Sequence, residues 1–204
     1  MNRRDFLKGA GAAIVPAALP GALWTPAAGS EKPQSAEDVP ADGSPVTAVV
    51  FDERYPDCRE FAEALALRGA KPFATNQDAA QLWYGGLRAH LAQNPGRVAG
   101  LTTYADFSVS LACGRELGLA RLYEGAHDGR RSRAELAHRA STRSGAAEIA
   151  VAFAGVSWAA RLADALSRLH APAVEGGNSE FRLLTAITQR SAGHPGYLNS
   201  WLLS

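Results

Sequence analysis

The chain has 204 residues, 47% of them hydrophobic, 20% charged and 8% aromatic, with 21 basic residues against 20 acidic ones. That length and apolar fraction suit one globular domain with a short appendage and exclude a disordered tail, a collagen or a disulfide-stapled miniprotein. A net charge of +1 with no single-sign run gives no electrostatic footprint for nucleic acid or an anionic membrane surface.

The amino terminus reads Met1-Asn2-Arg3-Arg4-Asp5-Phe6-Leu7-Lys8, followed by a mildly apolar stretch over residues 9–23 and small residues around Ala27 and Ala28. A basic head, an apolar middle and a small-residue end form a signal peptide, which is excluded from fold reasoning. The run Arg3-Arg4-Asp5-Phe6-Leu7-Lys8 resembles the bacterial twin-arginine (Tat) export signal, with Asn2 standing where Ser or Thr is usual. Residues 9–23 fall short of the ~20 apolar residues of a spanning helix and are diluted by Gly9, Gly11, Pro16, Pro20 and Gly21, so no stable membrane anchor is expected. The resemblance implies recognition by the Tat translocase and export of a folded protein to the bacterial periplasm. Cleavage after residue 27 or 28 removes Arg3, Arg4, Lys8 and Asp5, which turns the net charge slightly negative.

Residues 29–45, rich in Ala, Pro, Ser and acidic residues, lack periodicity and read as a flexible lead-in to an α/β domain over 46–204. The run 46–51 is a compact apolar strand. Pro56 and Asp57 open a helix to residue 68, with Phe61, Ala64 and Leu65 inward and Gly69 at the stop. Lys71 to Thr75 is a short strand whose Pro72 suits a sheet edge. Asn76 and Asp78 can cap a helix through Leu82, Trp83, Leu87 and Leu91, ended by Asn94-Pro95-Gly96. Residues 98–102 form a third strand, 106–117 a third helix and 119–123 a fourth strand.

This alternation predicts a small doubly wound, mostly parallel sheet, flavodoxin-like or Rossmann-like, with strand order 2-1-3-4. That order places the first helix on one sheet face and the next two on the other. Cys58 and Cys113 then lie on opposite faces and no disulfide joins them. Beyond His127 the pattern weakens. A short helix is expected within the Arg-rich stretch, around 134–140; Ile149, Val151 and Phe153 alternate with alanines, so 146–155 reads as a strand or a helix, with the helix preferred; and an amphipathic helix is expected over 157–169 with Trp158, Leu162, Ala165, Leu166 and Leu169 inward. Residues 181–188 and 197–203 are β-rich and flank Gly193-His194-Pro195-Gly196, which predicts a terminal β-hairpin.

In such a sheet, ligands bind beyond the carboxyl ends of the strands. The candidate catalytic residues there are Asp52, Asp106, Glu124 and His127, carboxylates and an imidazole suited to acid-base work. The candidate ligand-binding residues are Glu53, Asn76, Thr103 and Tyr104. The turn after the first strand, Asp52-Glu53-Arg54-Tyr55-Pro56, contains no glycine, so a dinucleotide is not expected. No paired-cysteine or histidine-repeat spacing occurs, so neither a metal nor a cofactor is predicted. Arg130, Arg131, Arg133, Arg139 and Arg143 form a solvated face or a site for an anionic partner. The resulting expectation is an exported accessory or ligand-binding protein that meets a periplasmic protein or a small molecule. The alternative is a small periplasmic hydrolase built on the acid and His candidates.

Overall fold

A computed structural model describes residues 44–75, 78–170 and 182–204. The signal segment, most of the lead-in and Asn76 lie outside the described residues. The elements run β1 (Val46–Phe51), α1 (Pro56–Ala66), β2 (Lys71–Ala74), α2 (Ala79–Leu82), a π-helical turn (Trp83–Leu87), α3 (Arg88–Gln93), β3 (Arg97–Thr102), α4 (Tyr104–Glu116), β4 (Arg121–Asp128), β5 (Glu135–Thr142), α5 (Ala146–Ala152), α6 (Trp158–Arg168), β6 (Arg182–Gln189) and β7 (Tyr197–Leu203).

The first half follows local sequence signals. Pro56 sits in the first turn of α1, where its missing N–H costs nothing, and Gly69 at φ 94° follows the helix. Phe61 and Leu65 of α1 are buried, and β2 is a sheet edge, as its Pro72 requires. Asp78 caps α2 by accepting from the Gln81 N–H at 2.9 Å.

The sheet is seven-stranded and mixed, in the order β2-β1-β3-β7-β4-β5-β6. The α/β class holds, but the mostly parallel sheet is corrected: β1 pairs in parallel with β2 and β3, and all other pairings are antiparallel. β4 does not lie against β3, because β7 is inserted between them. The reason is apolarity on both sides of β7, the mark of a central strand. Leu198 and Leu202 enter one core, while Trp201 and Leu203 enter the other. Gly100 of β3 faces Trp201 across the ladder, and a Cβ there would lie 2.3 Å from the indole. The missing side chain is therefore what lets the ring lie on the sheet.

The expected terminal hairpin is corrected for the same reason. β6 and β7 are strands, but they do not pair with each other; β6 lies at the far edge beside β5. The expected helix around 134–140 is β5 instead. Leu136, His138, Ala140 and Thr142 are buried while Glu135, Ala137 and Arg139 are exposed, a period of two that cross-strand packing enforces over the helical preference of alanine. The helices expected near 146–155 and 157–169 are α5 and α6, and Trp158, Leu162, Ala165, Leu166 and Leu169 are all buried.

Two cores flank the sheet. One holds Cys58, Phe61, Leu65, Trp158 and Leu162; the other holds Trp83, Leu87, Phe107, Cys113 and Trp201. Both cysteines are free and buried, one in each core. On the Trp201 side, helical cover reaches β7, and beyond it Ala137, Arg139, Leu183, Thr185 and Ile187 remain exposed. Among the described residues, half of the sheet is thus a three-layer sandwich, and the other half is covered on one face.

Candidate functional sites on and within the sheet

Three loci carry polar side chains in unusual settings. The first is the rim beyond β1 and β3. Asp52 is only 1% exposed and accepts from the Arg54 backbone N–H at 3.1 Å, from Nε at 2.9 Å and from Nη2 at 2.5 Å. Asp106 Oδ2 accepts from Thr103 Oγ1 at 3.1 Å and Thr75 Oγ1 at 3.3 Å. The Arg54 guanidinium is held charged chiefly by its hydrogen bond to Asp52, with Asp106 adding to the field. Both carboxylates therefore act on the field of one cation, Asp52 by direct contact and Asp106 from a distance. Glu53 is exposed, with its backbone carbonyl accepting from Arg59 Nη1 at 2.6 Å. Tyr104 is exposed beside Phe107.

Glu124 and His127 do not join this rim. Alternation along β4 sends Tyr123, Gly125 and His127 to the covered face and Glu124, Ala126 and Asp128 to the other. Glu124 pairs with Arg121. The four candidate catalytic residues therefore split into Asp52 with Asp106, Glu124 with an arginine, and His127 in the core. Among the described residues no group of three or more His, Cys, Asp or Glu side chains could hold a metal ion.

The second locus is the environment of His127. β4, β5 and β7 align Tyr123, Ser200, His127 and His138 into one hydrogen-bonded chain. Tyr123 Oη lies 2.9 Å from Ser200 Oγ, Ser200 Oγ 2.7 Å from His127 Nε2, and His127 Nδ1 2.7 Å from His138 Nδ1. Register explains the last contact, since His127 and His138 are direct cross-strand partners. Gly125 makes the first possible, because a Cβ there would lie 2.2 Å from the Tyr123 hydroxyl and 2.5 Å from Ser200 Oγ.

Hydrogen counting selects the direction of this chain. With Tyr123 donating to Ser200, Ser200 donates to His127 Nε2 and His127 Nδ1–H donates to His138 Nδ1. Every internal contact is then made, and the residual N–H is Nε2 of His138, which is buried and without a partner among the described residues. The reversed order also strands the tyrosine hydrogen. Phe153 stacks on His138 at 4.5 Å, and Trp158 lies 4.3 Å from His127. His194 accepts the Gly196 N–H at Nδ1, and its Nε2 is buried and unpartnered as well.

Burial, reinforced by the neighbouring histidines, pushes the His127 pKa well below the ordinary value; His138 is pushed down to about 3 and His194 to about 4. Burial also pushes the Tyr123 hydroxyl up. The order Ser200, His127, His138 is that of a nucleophile, a base and an orienting group. However, Tyr123, His127 and Ser200 are 0% exposed, sealed beneath Phe153 and Trp158. The loop between these two aromatics contains Ser157 at φ 57°, the one non-glycine residue in the left-handed region among those described, and Thr188 Oγ1 ties it down by donating to Gly155 O at 2.9 Å. His127 was visible in the sequence; its partners His138, Ser200 and Tyr123 were not, although alternation in β4 and β5 puts both histidines on one face.

The third locus is the uncovered face of β4, β5 and β6, a groove of about 650 Å³. Ala126, Arg139 and Thr185 form a cross-strand row at its centre, with Asp128, Ala137 and Ile187 in the next row. Arg130 donates from Nε and Nη2 to the Asp128 carboxylate, both at 2.8 Å, and lies over the Tyr197 ring at 4.6 Å. This pairing holds the Asp128 carboxyl at about 2, so that charge is already satisfied. Arg139 has no ion pair with a described carboxylate.

Residues 1–20 match the family model of the TAT (twin-arginine translocation) pathway signal sequence. The chain therefore carries a Tat signal peptide, which directs export across the cytoplasmic membrane and is recognised by the Tat translocase. No helix of the described residues is long and apolar enough to cross a membrane. No curated protein and no solved structure matches the chain.

Proposed function

We propose that this exported protein is a periplasmic binding protein that holds an anionic small molecule with an apolar body on the uncovered face of β4, β5 and β6. One observation carries the reading: Arg139 stands on β5, the middle strand of the uncovered face, without a carboxylate partner among the described residues, between Thr185 and Ala126, with Ile187 and Tyr197 supplying apolar surface nearby. A guanidinium in that position offers a forked donor pair to a carboxylate or phosphate, while the flanking side chains take the apolar body. The rim carboxylates support binding less well, because Asp52 is occupied by Arg54 and Asp106 by two threonines.

Octanoate is a suitable probe, measured by isothermal titration against octanol as the uncharged control. Octanoate binding to the exported protein, weakened about tenfold to a hundredfold by Arg139→Gln, agrees with the loss of charge-assisted hydrogen bonds of about 1.5–3 kcal/mol. Equal affinity in the variant, or no preference for octanoate over octanol, refutes the reading.

A second reading, a small hydrolase, draws on the Ser200, His127 and His138 contacts. It requires opening of the Phe153 and Trp158 cover, and it would show as covalent labelling of Ser200 by a fluorophosphonate.

A further inference from the structure

The two sheet edges are built differently. β2 is four residues long and begins with Lys71 and Pro72, a short edge blunted by a charge and by a residue that cannot donate. β6 is eight residues long and, among the described strands, pairs with β5 alone. From Leu183 to Gln189 it carries no charge, no proline and no glycine. Leu183 and Ile187 are 69% and 68% exposed on the uncovered face, at the same edge. Such an edge is a template for another strand, and none of the usual protective devices interrupts it.

We propose that the occupant of this edge is a second copy of the chain, joined through antiparallel pairing of β6 with β6 about a twofold axis at Thr185. The composition of the strand selects both the partner and the register. Directly opposed residues in an antiparallel pair share a face, so a twofold axis must pass midway between one residue and its own symmetry mate. Centred on Thr185, Leu183 of each copy faces Ile187 of the other on the uncovered side, and Leu184 faces Ala186 on the side of the core. Both apolar pairs occur twice, and Arg182 faces the neutral Thr188. Centring on Ala186 instead sets Arg182 against Arg190 and Leu183 against Gln189. Centring on Leu184 sets Leu183 against Thr185 and carries Ile187 past Arg182, beyond the start of β6. Of these three, the Thr185 register alone sets Leu183 against Ile187 while keeping like charges apart. It also carries one sheet through both copies, with Leu183 of the second copy at the margin of the groove beside Ile187.

The test uses the exported protein and single cysteines, since Cys58 and Cys113 are buried. Opposed Cα atoms in an antiparallel pair lie about 4.5–5.5 Å apart, within disulfide reach. Oxidation of Thr185→Cys is therefore expected to yield a covalent dimer. Leu183→Cys is expected to remain uncrosslinked, because its own symmetry mate lies about 14 Å away along the strands. In sedimentation, wild type is expected to be a dimer. Leu183→Lys and Ile187→Lys are expected to weaken it by about tenfold or more with an unchanged circular dichroism spectrum. A wild-type monomer at every concentration reached overturns the proposal. So does a dimer insensitive to both lysines, or crosslinking of Leu183→Cys as efficient as that of Thr185→Cys.

Discussion

Acid is expected to destabilise this protein through its buried histidines, to an extent that follows from their protonation. In the unfolded chain a histidine takes up a proton near pH 6.5. In the folded chain His138 takes one up only near 3, and His127 is likewise pushed well down. Below pH 6.5 the unfolded state therefore binds more protons than the folded state, and stability falls as pH falls. Each such histidine costs about 1.4 kcal/mol per pH unit, or about 2 kcal/mol between pH 7 and pH 5. His127 and His138 together cost about 4 kcal/mol, a large share of the 5–15 kcal/mol that holds a typical domain together. His194 acts in the same direction. Urea unfolding at pH 7 and pH 5, followed by tryptophan fluorescence, measures the loss directly. His138→Phe removes one of these groups and is expected to reduce the loss by about 2 kcal/mol, while lowering stability at pH 7 because His127 Nδ1 loses its partner. Comparing the two proteins cancels every other titrating group that the substitution leaves unchanged. An equal pH-dependent loss in variant and wild type, or a wild-type loss below about 1 kcal/mol, refutes the reasoning.

Gly100→Ala is expected to destabilise by about 1–3 kcal/mol, read from chemical denaturation, because the new methyl group would lie 2.3 Å from the Trp201 indole. Ser157→Gly is expected to stabilise by about 0.5–1 kcal/mol, since glycine adopts φ 57° without a side-chain clash; a lower melting midpoint counts against strain at that position. Replacing Arg3 and Arg4 by lysine is expected to leave the precursor in the cytoplasm, as fractionation and immunoblotting would show.

Most of the first half of the fold was legible because its signals are local. Pro56, Gly69 and Pro72 mark α1 and β2, and a helical period marks α6. Strand order was less legible. Nothing within residues 119–128 reveals that β4 meets β7 rather than β3; that depends on the two-sided apolarity of residues about 75 positions later, seen in the separations of 77 and 73 residues spanned by the Tyr123 and His127 contacts with Ser200. β5 was misread because alanine favours a helix while the alternation around Leu136, His138 and Ala140 favours a strand, and cross-strand neighbours decide between them. The candidate site shows the same division. Asp52 and Asp106 lie at the strand ends as expected, because loop position follows from element order. His127 was recognised as a titratable group, yet its partnership depends on register.

The placement of β7 bears on how an exported chain is made ready. The middle slot of the sheet is filled by residues that leave the ribosome after the other described strands, so β1–β3 and β4–β6 can each pair among themselves, but the two groups cannot join until β7 is made. A nascent chain stalled upstream would present a gap with bare flanks on β3 and β4. In the finished fold β7 closes that gap, so the two halves become one sheet only once it docks.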